Sequence, residues 1–167
     1  AIEDLERARA IVSKALGEET PAIGAHLLHI GRAWLREGRL DEARTFMEES
    51  LALRRRISER PDDIAIADTL HGLGQLHLAD ERWGEALESF TEALGIREAV
   101  YEGRHFEIAL SRAGLAEAQW FAGEEKEAAQ NAEGALTLAR SVNAPPHVLS
   151  QVIAVQDLVT QGLKDRN

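Results

Sequence analysis

Laid on itself with a shift of 43 residues, the sequence places LLHIGRAWLREGRLDEARTFMEESLALRR over LHGLGQLHLADERWGEALESFTEALGIRE. Ile30-Gly31 falls on Leu73-Gly74, Arg39 on Arg82, Glu42-Ala43 on Glu85-Ala86, Met47 on Phe90, Leu51 on Leu94 and Arg54 on Arg97. A further shift of 42 carries Leu73 to Leu115, Glu85-Ala86 to Glu127-Ala128, Ala93-Leu94 to Ala135-Leu136 and Ile96 to Leu138. Three copies of one short unit must stack, because none can bury its apolar face alone. That requirement excludes most folds before any residue is read for chemistry.

Each unit reads as two helices. Apolar residues recur at helical spacing, Leu27, Ile30 and Trp34 on the first and Ala43, Met47, Ser50 and Leu51 on the second. Breakers fall where such helices must end: Thr20-Pro21 and Pro61-Asp62-Asp63 open first helices, where a capping oxygen is wanted and a missing N–H costs least. Gly38 and Gly123 occupy turns between paired helices, where the backbone turns left-handed, and Glu81 stands at that place in the second unit. The spacing therefore divides the chain into a partial unit over 1–19, full repeats over 20–60, 61–103 and 104–143, and a cap helix over 144–167, all within one domain. LERARAIVSKALGEE matches only the second half of a repeat, with Ala8 under Ala43 and Leu16 under Leu51. Since the chain also lacks an initiating methionine, the expectation is a fragment of a longer array or multidomain protein. Val148, Leu149, Val152, Ile153, Leu158 and Val159 form the stripe of the cap helix, with Ser150, Gln151, Gln156 and Asp157 beside it. No period-2 run of β-branched residues and no Asn-Gly or Asp-Gly hairpin breaks the all-α reading.

Leu27, Ile30, Gly31, Trp34, Ala43, Met47 and Ser50, answered by Leu70, Leu73, Gly74, His77, Ala86, Phe90 and Ala93, resemble the tetratricopeptide-repeat consensus. The 42 to 43 residue period and phrases such as GRLDEARTFMEESLALRR resemble the kinesin-light-chain type of that repeat. The third copy departs from the pattern at Arg112, Ala116, Gln119 and Ala132. The resemblance implies a right-handed α-solenoid of antiparallel helix pairs and a protein-binding role, and it names no particular partner. It also implies that first helices line a concave face. Counting outward from the core positions puts Leu28, Arg32, Leu35 and Arg36 there, with Asp68, His71, Gln75 and Leu78 of the second repeat and Ala113, Glu117, Trp120 and Phe121 of the third.

Within that set two placements stay open. Arg32 and Arg36 are one helical turn apart and suit a carboxylate of a partner, or else they are solvated or pair with Glu37 or Asp41. Trp120 lies one position beyond Gln119, where the consensus aromatic belongs, so it either walls the groove or sits in the inter-repeat core. Trp34 and Trp83 read as structural. Lysine and asparagine clamps of chaperone-binding family members have no counterpart on these first helices, nor do the asparagine pairs of kinesin light chains, so no partner transfers by resemblance.

Composition narrows the remaining classes. A formal charge of -10 opposes phosphate backbones, so nucleic acid is not an expected partner. No apolar run approaches the roughly 20 residues of a bilayer span, which excludes a membrane partner of that kind, and the absence of cysteine suits a reducing, cytoplasmic setting. His26 and His29 lie one turn apart without an HExxH motif, and Glu48-Glu49 and Glu124-Glu125 point in different directions along their helices. No GxxxxGK[ST], GxGxxG or GxSxG motif occurs. We therefore expect no enzyme, metal or cofactor in this chain. The expected function is a scaffold that binds a peptide or helix of a partner protein in its concave groove. The alternative is a regulatory segment of a larger bacterial signalling protein, such as a Ser/Thr kinase or ATPase regulator, or one that self-associates through exposed terminal helices.

Overall fold

Thr20 turns the chain into its first helix: its hydroxyl accepts from the Ile23 amide at 3.4 Å, and Pro21 takes the first helical position, where its missing N–H costs nothing. The computed structural model describes residues 20–60 and 62–165, together with Arg7, Ala10 and Lys14, which are helical and exposed. Seven helices follow over the two long stretches: α1 (Pro21–Arg36), α2 (Leu40–Ile57), α3 (Ile64–Ala79), α4 (Trp83–Tyr101), α5 (Phe106–Ala122), α6 (Glu125–Ser141) and α7 (Pro146–Asp165). Asp63 caps α3 through the Ala65 amide at 2.8 Å, and His105 caps α5 by accepting at Nδ1 from the Glu107 amide at 3.3 Å. Pro61, expected at the opening of α3, lies outside the described residues, as do Ala8 and Leu16 of the expected partial unit.

Short turns fold α1 on α2, α3 on α4 and α5 on α6, while α2 meets α3, α4 meets α5 and α6 meets α7. First helices also touch in sequence, α1 with α3, α3 with α5 and α5 with α7, which aligns them along one face of the array. Gly38 and Gly123 sit in the turns at φ 74° and 85°, and Glu81 adopts the same left-handed conformation at φ 56° without glycine's freedom.

Close packing explains the repeat's small and large positions. A Cβ on Gly31 would approach Met47 to 2.6 Å, and one on Gly74 would approach the Phe90 ring to 2.7 Å. In the third repeat the glycine becomes Ala116 and its large partner becomes Ala132, both fully buried in one cluster. Trp120 and Val159 fill the space beside them. Ala43, Ala86 and Ala128, at the matching crossing in each repeat, are all wholly excluded from solvent. Leu51 and Leu94, placed in the apolar stripe by their spacing, are only half-buried and pack against the margin of the core.

Another register position changes chemistry from copy to copy. Trp34 is buried in the first repeat; its counterpart His77 meets Ser89 at 3.3 Å, and Gln119 accepts from Asn131 at 2.7 Å. Each polar replacement thus brings its own hydrogen-bond partner from the facing helix, as burial demands. Neighbouring repeats are tied by buried arginines at equivalent positions. Arg54 of α2 donates to the Ala65 carbonyl of α3. Arg97 of α4 donates to Ser111 Oγ at 2.7 Å and to the Glu107 carbonyl at 3.2 Å on α5, and to Asp68 Oδ1 at 2.7 Å on α3.

Candidate protein-interaction groove

The aligned first helices and α7 line a trough between α3, α5 and α7. A cavity of about 330 Å³ opens there, with His71, Gln75 and Leu78 from α3, Leu110, Ala113 and Glu117 from α5, and Gln151, Ala154, Val155 and Leu158 from α7. Phe90 closes its floor through the gap left by Gly114, where a Cβ would come within 2.4 Å of the ring. The trough continues past Gln75, Leu78 and Glu117 to a shallower depression walled by Trp83 and Phe121. These two rings stack with centroids 4.8 Å apart and planes at 18°. Phe121 is 45% exposed, the one large apolar side chain so open among the described residues.

The residues expected on the concave face fall into three groups. Gln75, Leu78, Glu117 and Phe121 share the trough, with His71 beneath it and Ala113 in its wall. Arg32, Leu35, Arg36 and Asp68 lie outside the cavity. Arg32 is half-buried and donates to the Asp68 carbonyl at 3.1 Å, Leu35 packs against the first repeat's core, and Arg36 is exposed. Neither arginine pair drawn from the sequence, with Glu37 or with Asp41, is formed. Asp68 is occupied by Arg97. Leu28 and Trp120 belong to the core instead of the face. Leu28 is 3% exposed among Ile23, Leu27 and Ile30, and Trp120 is 7% exposed beside Ala116, Ala128 and Val159. Trp120 lies so close to Gly162 of α7 that a Cβ there would reach within 2.1 Å of its ring, which decides between its two placements.

Sequence reasoning missed the contribution of α7, which the cap reading assigned to solvation, and that of Trp83, read as structural. The apolar stripe of α7 held the signal, since Leu158 and Val155 serve both the core margin and the trough.

The electrostatics of the trough are set by burial. Glu117 forms no hydrogen bond or ion pair among the described residues, and desolvation alone raises its carboxyl above the usual range. His71 is pushed down to about 3, first by burial and then by the Arg97 and Arg32 charges, so it is neutral at physiological pH. Its ring meets Phe90 edge-on at 5.3 Å, and its Nδ1 has no partner. Burial also lowers the Arg32 guanidinium from its ordinary value, against the pull of Asp68. No cluster of three or more potential metal ligands occurs among the described residues, and no helix there is long and apolar enough to cross a membrane.

The sequence pattern of the tetratricopeptide repeat matches residues 24–64 and again 61–141. The chain belongs to the tetratricopeptide-repeat family. Its fold is similar to that of a kinesin light chain with nearly identical tetratricopeptide-like repeats from Podosopora anserina: 22% identity, 93% of this chain and 85% of that one covered, TM-score 0.73. It is similar also to BtubC (BKLC) from P. vanneervenii, at 18% identity over 97% of this chain and 67% of that one, with a TM-score of 0.80. No curated protein matches the chain in sequence. The family match establishes a tetratricopeptide-repeat solenoid, and its fold is similar to that of kinesin-light-chain-like repeats. Such a scaffold serves protein interaction and has no catalysis of its own.

Proposed function

We propose that this tetratricopeptide-repeat chain captures a partner protein by seating a peptide or short helix of that partner in the trough between α3, α5 and α7. The exposure of Phe121 carries this reading. A large aromatic held rigid by stacking on Trp83 provides an apolar anchor at low entropic cost, next to a concave, largely apolar cavity. The binding residues are then Gln75, Leu78, Glu117 and Phe121, with Trp83, Leu110, Val155 and Leu158 joining them and His71 shaping the floor. Arg32 and Arg36 of α1 lie outside that lining. The chain acts as one unit of three repeats with α7 completing the groove. Peptides selected from a random display library against the immobilised chain test this. They should bind Phe121→Ser and Leu78→Ser at least tenfold more weakly and bind Glu88→Lys, on the exposed face of α4, unchanged. Equal binding by all four proteins would place the interaction elsewhere.

A further inference from the structure

Among the described residues Glu117 is the one charged side chain in the lining of the cavity, which otherwise combines Leu78, Leu110, Val155 and Leu158 with the neutral amides of Gln75 and Gln151. No arginine or lysine among the described residues lines either the cavity or the depression beyond it, and Glu81 adds a second carboxylate to the lining of that depression. Glu117 lies where both spaces meet, since both are lined by it, by Gln75 and by Leu78. Its carboxylate is half-buried and unpaired among the described residues, although most other partly buried charges here are compensated: Arg97 by Asp68, Arg112 by Glu98 and Arg44 by Asp80. Leaving one carboxylate desolvated without a cation is costly, and none of the described residues supplies one.

Resting on the reading of the trough as the binding site, we infer that its partner is a basic-apolar protein segment. A lysine or arginine of that segment meets Glu117, and neighbouring bulky apolar side chains occupy the cavity beneath α7 and the face of Phe121. The charge complement is local and global at once, for the chain carries a formal -10. A cation arriving at Glu117 replaces lost water with a charge-assisted hydrogen bond inside an apolar wall, where such bonds are strongest. An acidic segment would instead bring a like charge to that half-buried carboxylate. The seat also selects against purely apolar segments, which would leave the carboxylate desolvated and unmet.

The test uses the same random peptide library, selected in parallel on the wild-type chain and on Glu117→Gln. Wild-type selection should enrich lysine or arginine beside leucine, phenylalanine or tryptophan, and Glu117→Gln selection should keep the apolar preference and lose the basic one. A wild-type-selected peptide should bind Glu117→Gln about tenfold or more weakly, while its own Arg→Gln or Lys→Gln version binds the two proteins alike. Circular dichroism melting of Glu117→Gln checks that the fold is intact. Neutral or acidic consensus sequences, or equal affinity for wild type and Glu117→Gln, would overturn the basic-partner inference while leaving the trough standing, provided that Phe121→Ser still abolishes binding. Peptides indifferent to both Phe121→Ser and Glu117→Gln would remove the trough and this inference together.

Discussion

Trp83 opens α4 and Phe121 nearly ends α5, yet their rings stack at 4.8 Å, so the aromatic surface of the trough is assembled across two repeats. Neither residue could present that surface within its own repeat. The stack covers one face of Phe121 while 45% of the residue stays open to solvent.

The Phe90 ring fills the space that Cβ atoms on Gly74 and Gly114 would take. Gly114→Ala should overpack this site and destabilise the chain by about 1–3 kcal/mol in denaturant unfolding. Combining it with Phe90→Leu should recover part of the loss, because the two changes compete for one volume. Additive losses would separate the residues.

Arg97 joins three helices through Asp68, Ser111 and the Glu107 carbonyl. Arg97→Met should cost roughly 1.5–3 kcal/mol, the range for hydrogen bonds to a charged group, leaving Asp68 without its cation. Arg55, whose pair with Glu92 is exposed on both sides, should cost less than about 1 kcal/mol when changed to alanine. Equal losses from the two would deny Arg97 its place as an inter-repeat tie.

Much of this was legible in the sequence. The 43-residue shift located Gly31 over Gly74 and Met47 over Phe90, and packing makes those pairs obligatory neighbours. Ala43, Ala86 and Ala128 followed from the same register. What escaped was set by contacts between distant segments. Trp120 is buried by Gly162 of α7, a helix outside the repeat pattern, and Arg32 is drawn to the Asp68 carbonyl of the next repeat instead of toward a ligand. Counting helical turns gives the side of a helix a residue occupies, but not how deeply the neighbouring helix covers it. Leu28, expected on the face, is buried for that reason, and Trp120 takes the core placement of the two its spacing allowed, while Gln75, Leu78, Glu117 and Phe121 line the trough.

Glu81 holds a left-handed backbone at φ 56°, where its two counterparts in the chain are glycines. Glu81→Gly should raise stability by up to about 1 kcal/mol, the relief of side-chain strain exceeding the added freedom of the unfolded chain. A loss on thermal unfolding would show that the carboxylate contributes more than its conformation costs.

His71 is held neutral when folded, with its pKa near 3 by burial and by the facing Arg97 and Arg32, against about 6.5 in the unfolded chain. The unfolded state therefore binds a proton first. Its contribution to stability is complete above pH 6.5 and declines as pH falls toward 3, by about 1.4 kcal/mol per unit. Unfolding measured between pH 6.5 and 5 should show this slope in the wild type and a shallower one in His71→Gln. His77, also lowered by burial, adds to the slope of both proteins. Identical slopes would mean that His71 is not the buried neutral base described.

The measurement that goes most directly to the central claim is the mapping of amide chemical shifts in the isotopically labelled chain as a library-selected peptide is titrated in. The trough predicts perturbations concentrated at Gln75, Leu78, Glu117, Phe121 and the α7 residues Val155 and Leu158, with the outer faces of α4 and α6 unmoved. Shifts confined to α4 and α6, with the trough silent, would contradict it.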